Sequence, residues 1–258
     1  MSSQASSQSH ALATFGPCAD CQKEHRLDVG EARAHALDLM REFEQLQRLD
    51  FLVDDVKADP RLSFAHLFAD GRGSMFGVLL CEDQAGKSVV LRAFSSLRDN
   101  VRQIDGWVTP LLSSETFDDV ILPAQRKIKA LTAELGMLES SSIAFTDVHC
   151  RRKQTSQTLW ENMCDAYRLH NFKGEQRGLD DVMCPKGSPP GGVGECCAPK
   201  LLQHAAIHRL RPLGLAEFYW GASQSAGRRV PGEFYGSCEA RCRPILGFML
   251  CGVEGLDV

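Results

Sequence analysis

Leu213-Gly214-Leu215-Ala216-Glu217-Phe218-Tyr219-Trp220 is the stretch on which the fold turns. It is apolar, short and rich in aromatic residues, and it reads as a buried strand rather than a helix. Upstream, Gly191-Gly192-Val193-Gly194-Glu195-Cys196-Cys197-Ala198-Pro199-Lys200-Leu201-Leu202 is a glycine turn feeding a helix. Downstream, past a Gly/Ser/Arg loop, Cys238-Glu239-Ala240-Arg241-Cys242 enters a second helix through Pro244, Ile245, Leu246, Phe248 and Met249. The order is therefore Glu and Cys at one helix start, a strand, and two Cys at the next helix start.

Working outward, Met75–Cys81 and Ser88–Phe94 are apolar runs joined by the polar turn 82–87. They predict a β-hairpin, and runs this continuous predict a sheet covered by helices. Between Glu31 and Leu49 the residues Ala36, Leu37, Met40, Phe43, Leu46 and Leu49 recur at the helical period. Ser113 offers a cap for a helical stretch reaching about Leu138, which Pro123 kinks or divides. A further helix is expected from about Thr155 to Leu169, entered through the basic run Arg151-Arg152-Lys153. Residues 171–194, rich in Gly, Pro, Lys and Asp, read as a lid or specificity loop. The fold class expected is α/β: one domain over 25–258, a mixed β-sheet covered by helices, and a helical insertion at about 110–170. Residues 1–24 read as a disordered, cysteine-containing lead-in.

The composition is that of a globular protein, with 43% hydrophobic and 24% charged residues and a net charge of −4. It does not suggest a strongly basic nucleic-acid binder. No apolar run approaches the roughly 18 residues of a membrane span, and the polar N-terminus lacks the parts of a signal peptide. A cytoplasmic address and no membrane partner are the expectation. Eleven cysteines without an export signal argue for reduced thiols. Cys81 and Cys251, each at the end of an apolar run, read as core residues.

Thiols at helix starts can hold a metal or act as nucleophiles. Zinc is the cofactor expected on Cys196, Cys238 and Cys242, with Glu195 as a proton shuttle; this is how zinc-dependent base and nucleoside deaminases are built. Those enzymes place the Glu two residues after the first ligand and close the site with Pro-Cys-x-x-Cys. Here Glu195 precedes Cys196, and three residues separate Cys238 from Cys242. Cys196 as a metal-free nucleophile, or all three as packing residues, are the competing readings. Lys200, Glu217, Trp220, Arg228 and Arg229 are candidate substrate-binding residues, weighed against solvent-facing, core and loop roles. Cys18-Ala-Asp-Cys21, with His25 close behind, supplies half of a tetrahedral zinc site. No second pair of the usual spacing accompanies it, so packing cysteines are the plainer reading. His204 and His208 lack an acidic partner and read as surface or packing residues.

Gly192–Leu202, Leu215–Ser223 and Phe234–Leu246 together resemble the N-terminal extension of bacterial RluA-family RNA pseudouridine synthases. Met75–Leu79 with Ala93-Phe94-Ser95 is similar to the same extension's hairpin, and the likeness spans most of 25–252. His25-Arg26-Leu27-Asp28 looks like the synthases' catalytic aspartate motif for four residues and then departs into Val29-Gly30-Glu31. What the resemblance implies is RNA modification without the synthase domain, with RNA or a nucleotide as substrate. A separate pseudouridine synthase is an implied partner. The element order also looks cytidine-deaminase-like. The function expected is a zinc-dependent, deaminase-like hydrolase in RNA modification; the alternatives are a non-catalytic RNA-binding or interaction module and a Cys-nucleophile enzyme.

Overall fold

A computed structural model of the chain describes residues 12–69, 73–95, 101, 103–223 and 229–255. At its centre lies a four-stranded sheet in the order β4-β3-β7-β8. The strands are β3 (Ser74–Glu82), β4 (Ser88–Phe94), β7 (Arg211–Trp220) and β8 (Phe234–Tyr235). Two small hairpins stand apart from it: β1 (Thr14–Pro17) with β2 (Glu24–Leu27), and β5 (Leu169–His170) with β6 (Gln176–Arg177). The molecule is an α/β protein, but every strand pairing among the described residues is antiparallel, where a mixed sheet was expected. β7 returns to the free edge of β3 running opposite to it, so β3 is antiparallel to both neighbours.

Strand alternation sends successive side chains to opposite faces. Phe76, Val78 and Leu80 of β3 and Ala216, Phe218 and Trp220 of β7 face one core, packed under α1 (Ala32–Leu46). Phe43 of α1 lies at its centre, with ring centroids 4.6 Å from Phe64, 4.7 Å from Phe76 and 5.7 Å from Trp220. Leu79, Cys81 and Leu215 face a second core on the other side of the sheet. Two helices cover that side, α4 (Cys197–Ile207) and α5 (Arg243–Leu250).

The helical insertion holds α2 (Leu122–Leu135) and α3 (Ile143–Ala166). Ser113 caps its first turn, its hydroxyl accepting from the Thr116 amide at 3.1 Å. A π-helical turn, Phe117–Ile121, leads directly into α2 just before Pro123, so the helix continues past the proline but changes its winding there, as the expected kink or division implied. α3 starts earlier than the expected Thr155, from a Ser142 cap. Residues 12–24, expected to belong to a disordered lead-in, instead hold β1 and the first residue of β2, which pack directly on α5; residues 1–11 lie outside the described residues. Gly16 and Gly247 make that approach: a Cβ on Gly16 would sit 2.5 Å from the Arg243 carbonyl oxygen. Among the described residues no helix is long and apolar enough to cross a membrane.

Candidate metal centres

Cys196 occupies the cap position before α4, at the end of a turn containing Gly192 (φ +79°) and Gly194 (φ +82°). Gly194 is required twice over, since a Cβ there would lie 2.9 Å from both Leu111 and Tyr167. Cys242 holds the corresponding position before α5. Cys238 is brought back to it by a single turn, its carbonyl accepting from the amides of Cys242 and Arg243 at 3.1 and 3.0 Å. Two helix N-termini on one side of β7 thus bring three thiols together, with their sulfurs all within 4.8 Å of one another. Tetrahedral zinc with Zn–S bonds of ~2.3 Å needs sulfurs ~3.8 Å apart, a spacing this arrangement allows. Three protein ligands leave a fourth position open, the pattern of reactive rather than structural sites.

The trio is electrostatically uneven. Cys238 accepts from the thiols of Cys196 and Cys242, and then from the amides of Arg241 and Cys242, which holds it well below the ordinary thiol range. Cys196 is driven the other way by its sulfur neighbours first and by burial second. Cys242 is pushed up to about 12: its bond to Cys196 pulls down, but its bond to Cys238 and its burial outweigh this. One thiolate shared among three sulfurs at helix N-termini is a donor set suited to a cation. Cys197 is not part of it; its thiol donates to the Met75 carbonyl at 3.4 Å.

Two carboxylates stand beside the sulfurs. Glu195 accepts from the Tyr167 hydroxyl at 3.2 Å and lies 4.0 Å from the Lys200 ammonium. It opens onto a cavity of about 330 Å³ whose walls include Ser95, Phe117, Gln125, Met163 and Arg241. Glu217, inside β7, is fully buried and accepts from the Ala198 amide at 2.8 Å. Burial pushes its carboxyl up to about 8, opposed by the Ala198 bond and reinforced by the charge on Cys238. Gly77 on β3 makes room for this packing: a Cβ there would meet Cys197 Cβ at 2.6 Å.

The other candidate residues fall differently. Lys200 does not face solvent; it is buried, donating to the Phe94 carbonyl at 3.0 Å. Trp220 cannot join Glu217 in one site, because it is three residues on and strand alternation turns it into the α1 core. Arg229 stacks over Tyr235 at 5.2 Å, and its charge reaches Glu217. Arg228 lies outside the described residues. His204 and His208 stack on each other at 4.2 Å without a third metal-ligating group among the described residues.

A second cluster adds Cys251 to Cys18, Cys21 and His25, which the sequence had already placed together. The ligand atoms of Cys18, Cys21, His25 and Cys251 all lie within 4.8 Å of one another. Cys21 Sγ is 3.0 Å from His25 Nε2 and 3.8 Å from Cys251 Sγ. Cys251 is buried as a core residue, as expected, and its sulfur also lies in this cluster. Cys81 also keeps that role, fully buried with its thiol pushed by burial to about 12. The His25–Asp28 tetrapeptide is split as well, since His25 turns to the cysteines while Asp28 pairs with Arg26 at 2.7 Å. The visible signal was Cys-x-x-Cys followed by His25; the distant Cys251 carried none.

No family model, curated protein or solved structure matches the chain.

Proposed function

We propose that the chain is a zinc-dependent, deaminase-type hydrolase of RNA or nucleotide modification, with zinc on Cys196, Cys238 and Cys242. The observation that carries this reading is the open three-thiol set at the starts of α4 and α5, with Glu195 next to Cys196 in the chain and opening onto a cavity. Cys196, Cys238 and Cys242 would hold the zinc, and the chemistry it would supply is water made acidic enough to give a nucleophile near neutral pH. Glu195, anchored by Tyr167 and Lys200, accepts the proton of the attacking water and returns it to the leaving amine. The ring amino group is exchanged for oxygen and ammonia departs. Arg241, on the same cavity wall, supplies a positive charge for a phosphate. Glu217 holds the first turn of α4 through Ala198, and so holds Cys196 in place.

A cytidine-deaminase-like core is supported by the order hairpin, helix, strand, helix with thiols at both helix starts. The likeness to the extension of RluA-family synthases supports an RNA context and a separate synthase as partner. The departures in ligand spacing and in the place of the glutamate leave the substrate amine for experiment. A second reading, a non-catalytic RNA-binding module, draws on a different observation. A cavity of about 700 Å³ lies between α2 and α3 and includes Lys127 and Arg151, with none of the three cysteines in its walls. We give it less weight because its walls hold no convergent reactive groups. Cys196 as a nucleophile is disfavoured by the upward push on its thiol.

The test is elemental analysis of protein purified without chelator, wild type beside Cys238→Ser/Cys242→Ser, followed by ammonia release from cytosine- and adenine-containing RNA and nucleotides. Zinc lost in the double variant, with turnover that disappears in Glu195→Gln, is the expected result. Zinc retained in full by the double variant would sink the mechanism. Salt-sensitive RNA binding without turnover would favour the second reading.

A further inference from the structure

We infer that Cys18, Cys21, His25 and Cys251 form a closed structural zinc site that ties the N-terminal hairpin to the end of α5. The inference stands apart from the deaminase reading, since it concerns different residues on the far side of α5.

Four donors, three thiols and one imidazole, converge within 4.8 Å. Cys18, His25 and Cys251 are buried at 2, 7 and 1% exposure, and Cys21 is partly covered. A full set of four protein ligands leaves no position for water or substrate, which marks a structural site. Sulfur-rich tetrahedral donors with one imidazole favour zinc over oxygen-seeking cations.

The backbone is built to aim these groups. Cys18 and Cys21 both lie in the loop between β1 and β2, which the Cys18 amide closes on the Lys23 carbonyl at 2.8 Å. Gln22 takes a left-handed conformation, φ +57°, and its amide bonds the Cys18 carbonyl at 3.0 Å. That tight turn folds Cys21 back toward Cys18, although Gln carries a Cβ that disfavours it. His25 follows on β2. Cys251 ends α5, its amide on Phe248 and its carbonyl accepting from the Phe172 amide at 3.0 Å. Asn171, 1% exposed, shapes that neighbouring loop by accepting from the Lys173 and Glu175 amides, both at 3.0 Å.

Packing alone does not account for the group. One buried cysteine is an ordinary small hydrophobe. Two buried cysteines and a partly covered third, with a buried imidazole whose nitrogen turns to sulfur, present polar atoms that an apolar core would leave poorly satisfied. Zinc satisfies all four. The ligands span residues 18 to 251, so one ion closes nearly the whole chain into a loop, and long closures constrain the unfolded chain most. A consequence rests on the proposed function: α5 is eight residues long and would run from the open site at Cys242 to the closed site at Cys251. The structural ion would then fix the far end of the helix that presents a reactive-site ligand.

The experiment is zinc content per folded chain, by elemental analysis and native mass spectrometry, in wild type, Cys251→Ser, His25→Cys and Cys238→Ser/Cys242→Ser. The closed site predicts that Cys251→Ser loses one zinc and about 10 °C or more of thermal midpoint. His25→Cys, which keeps four ligands, should retain that zinc, so loss in Cys251→Ser cannot be put down to misfolding of the region. Cobalt exchanged into Cys238→Ser/Cys242→Ser should show the intense visible bands of a tetrahedral thiolate site. A zinc lost in Cys251→Ser but kept in Cys238→Ser/Cys242→Ser upholds the closed site, whatever becomes of the deaminase reading. The inference is overturned if Cys251→Ser keeps the wild-type zinc content, if wild type holds none, or if non-reduced protein carries a Cys21–Cys251 disulfide.

Discussion

Gly247→Ala in α5 sets two effects of known size against each other. Gly247 lies in the interior of the helix with no left-handed backbone angle, so on propensity alone alanine should stabilise it by about 1 kcal/mol. The structure opposes this. A methyl group at 247 would sit 2.6 Å from the Cys18 amide nitrogen, and closer still to the Pro17 carbonyl carbon and oxygen. Ordinary contact begins near 3.4 Å, so β1 would have to retreat from α5 by about 0.8 Å or more. Both neighbours are backbone and have no flexible end to swing away. Overpacking of this kind costs roughly 1–3 kcal/mol, with rigid backbone at the upper end, so the net loss is ~2 kcal/mol. Metal bonds tolerate about 0.2 Å, so the same displacement should carry Cys18 and Cys21 out of reach of an ion shared with Cys251. Urea denaturation and zinc analysis would be run together, with Gly187→Ala, whose Cβ would meet nothing within 4 Å, as the control. The expectation is a destabilised Gly247→Ala chain with one zinc fewer than wild type. A variant more stable than wild type that keeps its full metal content would refute both the close approach and the site it supports.

Glu217→Gln should stabilise protein in which Cys238→Ser has emptied the open site. Burial raises the folded carboxyl from its ordinary 4.5 to about 8, so its stabilising proton is fully bound below pH 4.5. Stability is then lost as pH rises from 4.5 towards 8, by at most ~5 kcal/mol at about 1.4 kcal/mol per tenfold, and by less where Cys238→Ser has removed the neighbouring charge that adds to the shift. Denaturation midpoints of the two proteins should diverge across that window, and parallel curves would show that Glu217 is not buried as described. Tyr167→Phe removes a buried hydroxyl that lies 3.0 Å from the Val193 carbonyl and 3.2 Å from Glu195, and should cost about 1–2 kcal/mol in urea melts. Under the deaminase reading it should also lower turnover by freeing Glu195. Trp220→Ala should cost about 3–5 kcal/mol through the aromatic core while leaving zinc per folded chain unchanged. Loss of zinc in that variant would place Trp220 nearer the thiols than strand alternation allows.

Features that depend on neighbours in sequence were legible before any coordinates. The β3–β4 hairpin follows from two apolar runs around a polar turn, and β7 from its apolar, aromatic stretch. The placing of Cys196 and Cys242 at helix starts follows from Gly194 and Pro244 beside them. Each reflects local conformational preference and periodicity, which a chain carries with it. Tertiary structure alone decided the rest. Whether β7 lay parallel or antiparallel to β3 depended on how the chain returned past the insertion. Trp220 and Glu217 looked like neighbours in one site until the strand assigned them to opposite faces. Lys200 went inward because the Phe94 carbonyl, brought from β4, offered an oxygen to satisfy it beside the nearby Glu195. Cys251 joined Cys18, Cys21 and His25 only because Gly16 and Gly247 let a strand and a helix from opposite ends of the chain come within backbone contact. Spacing along the chain cannot encode such a meeting, since it is set by packing between segments that share no local preference.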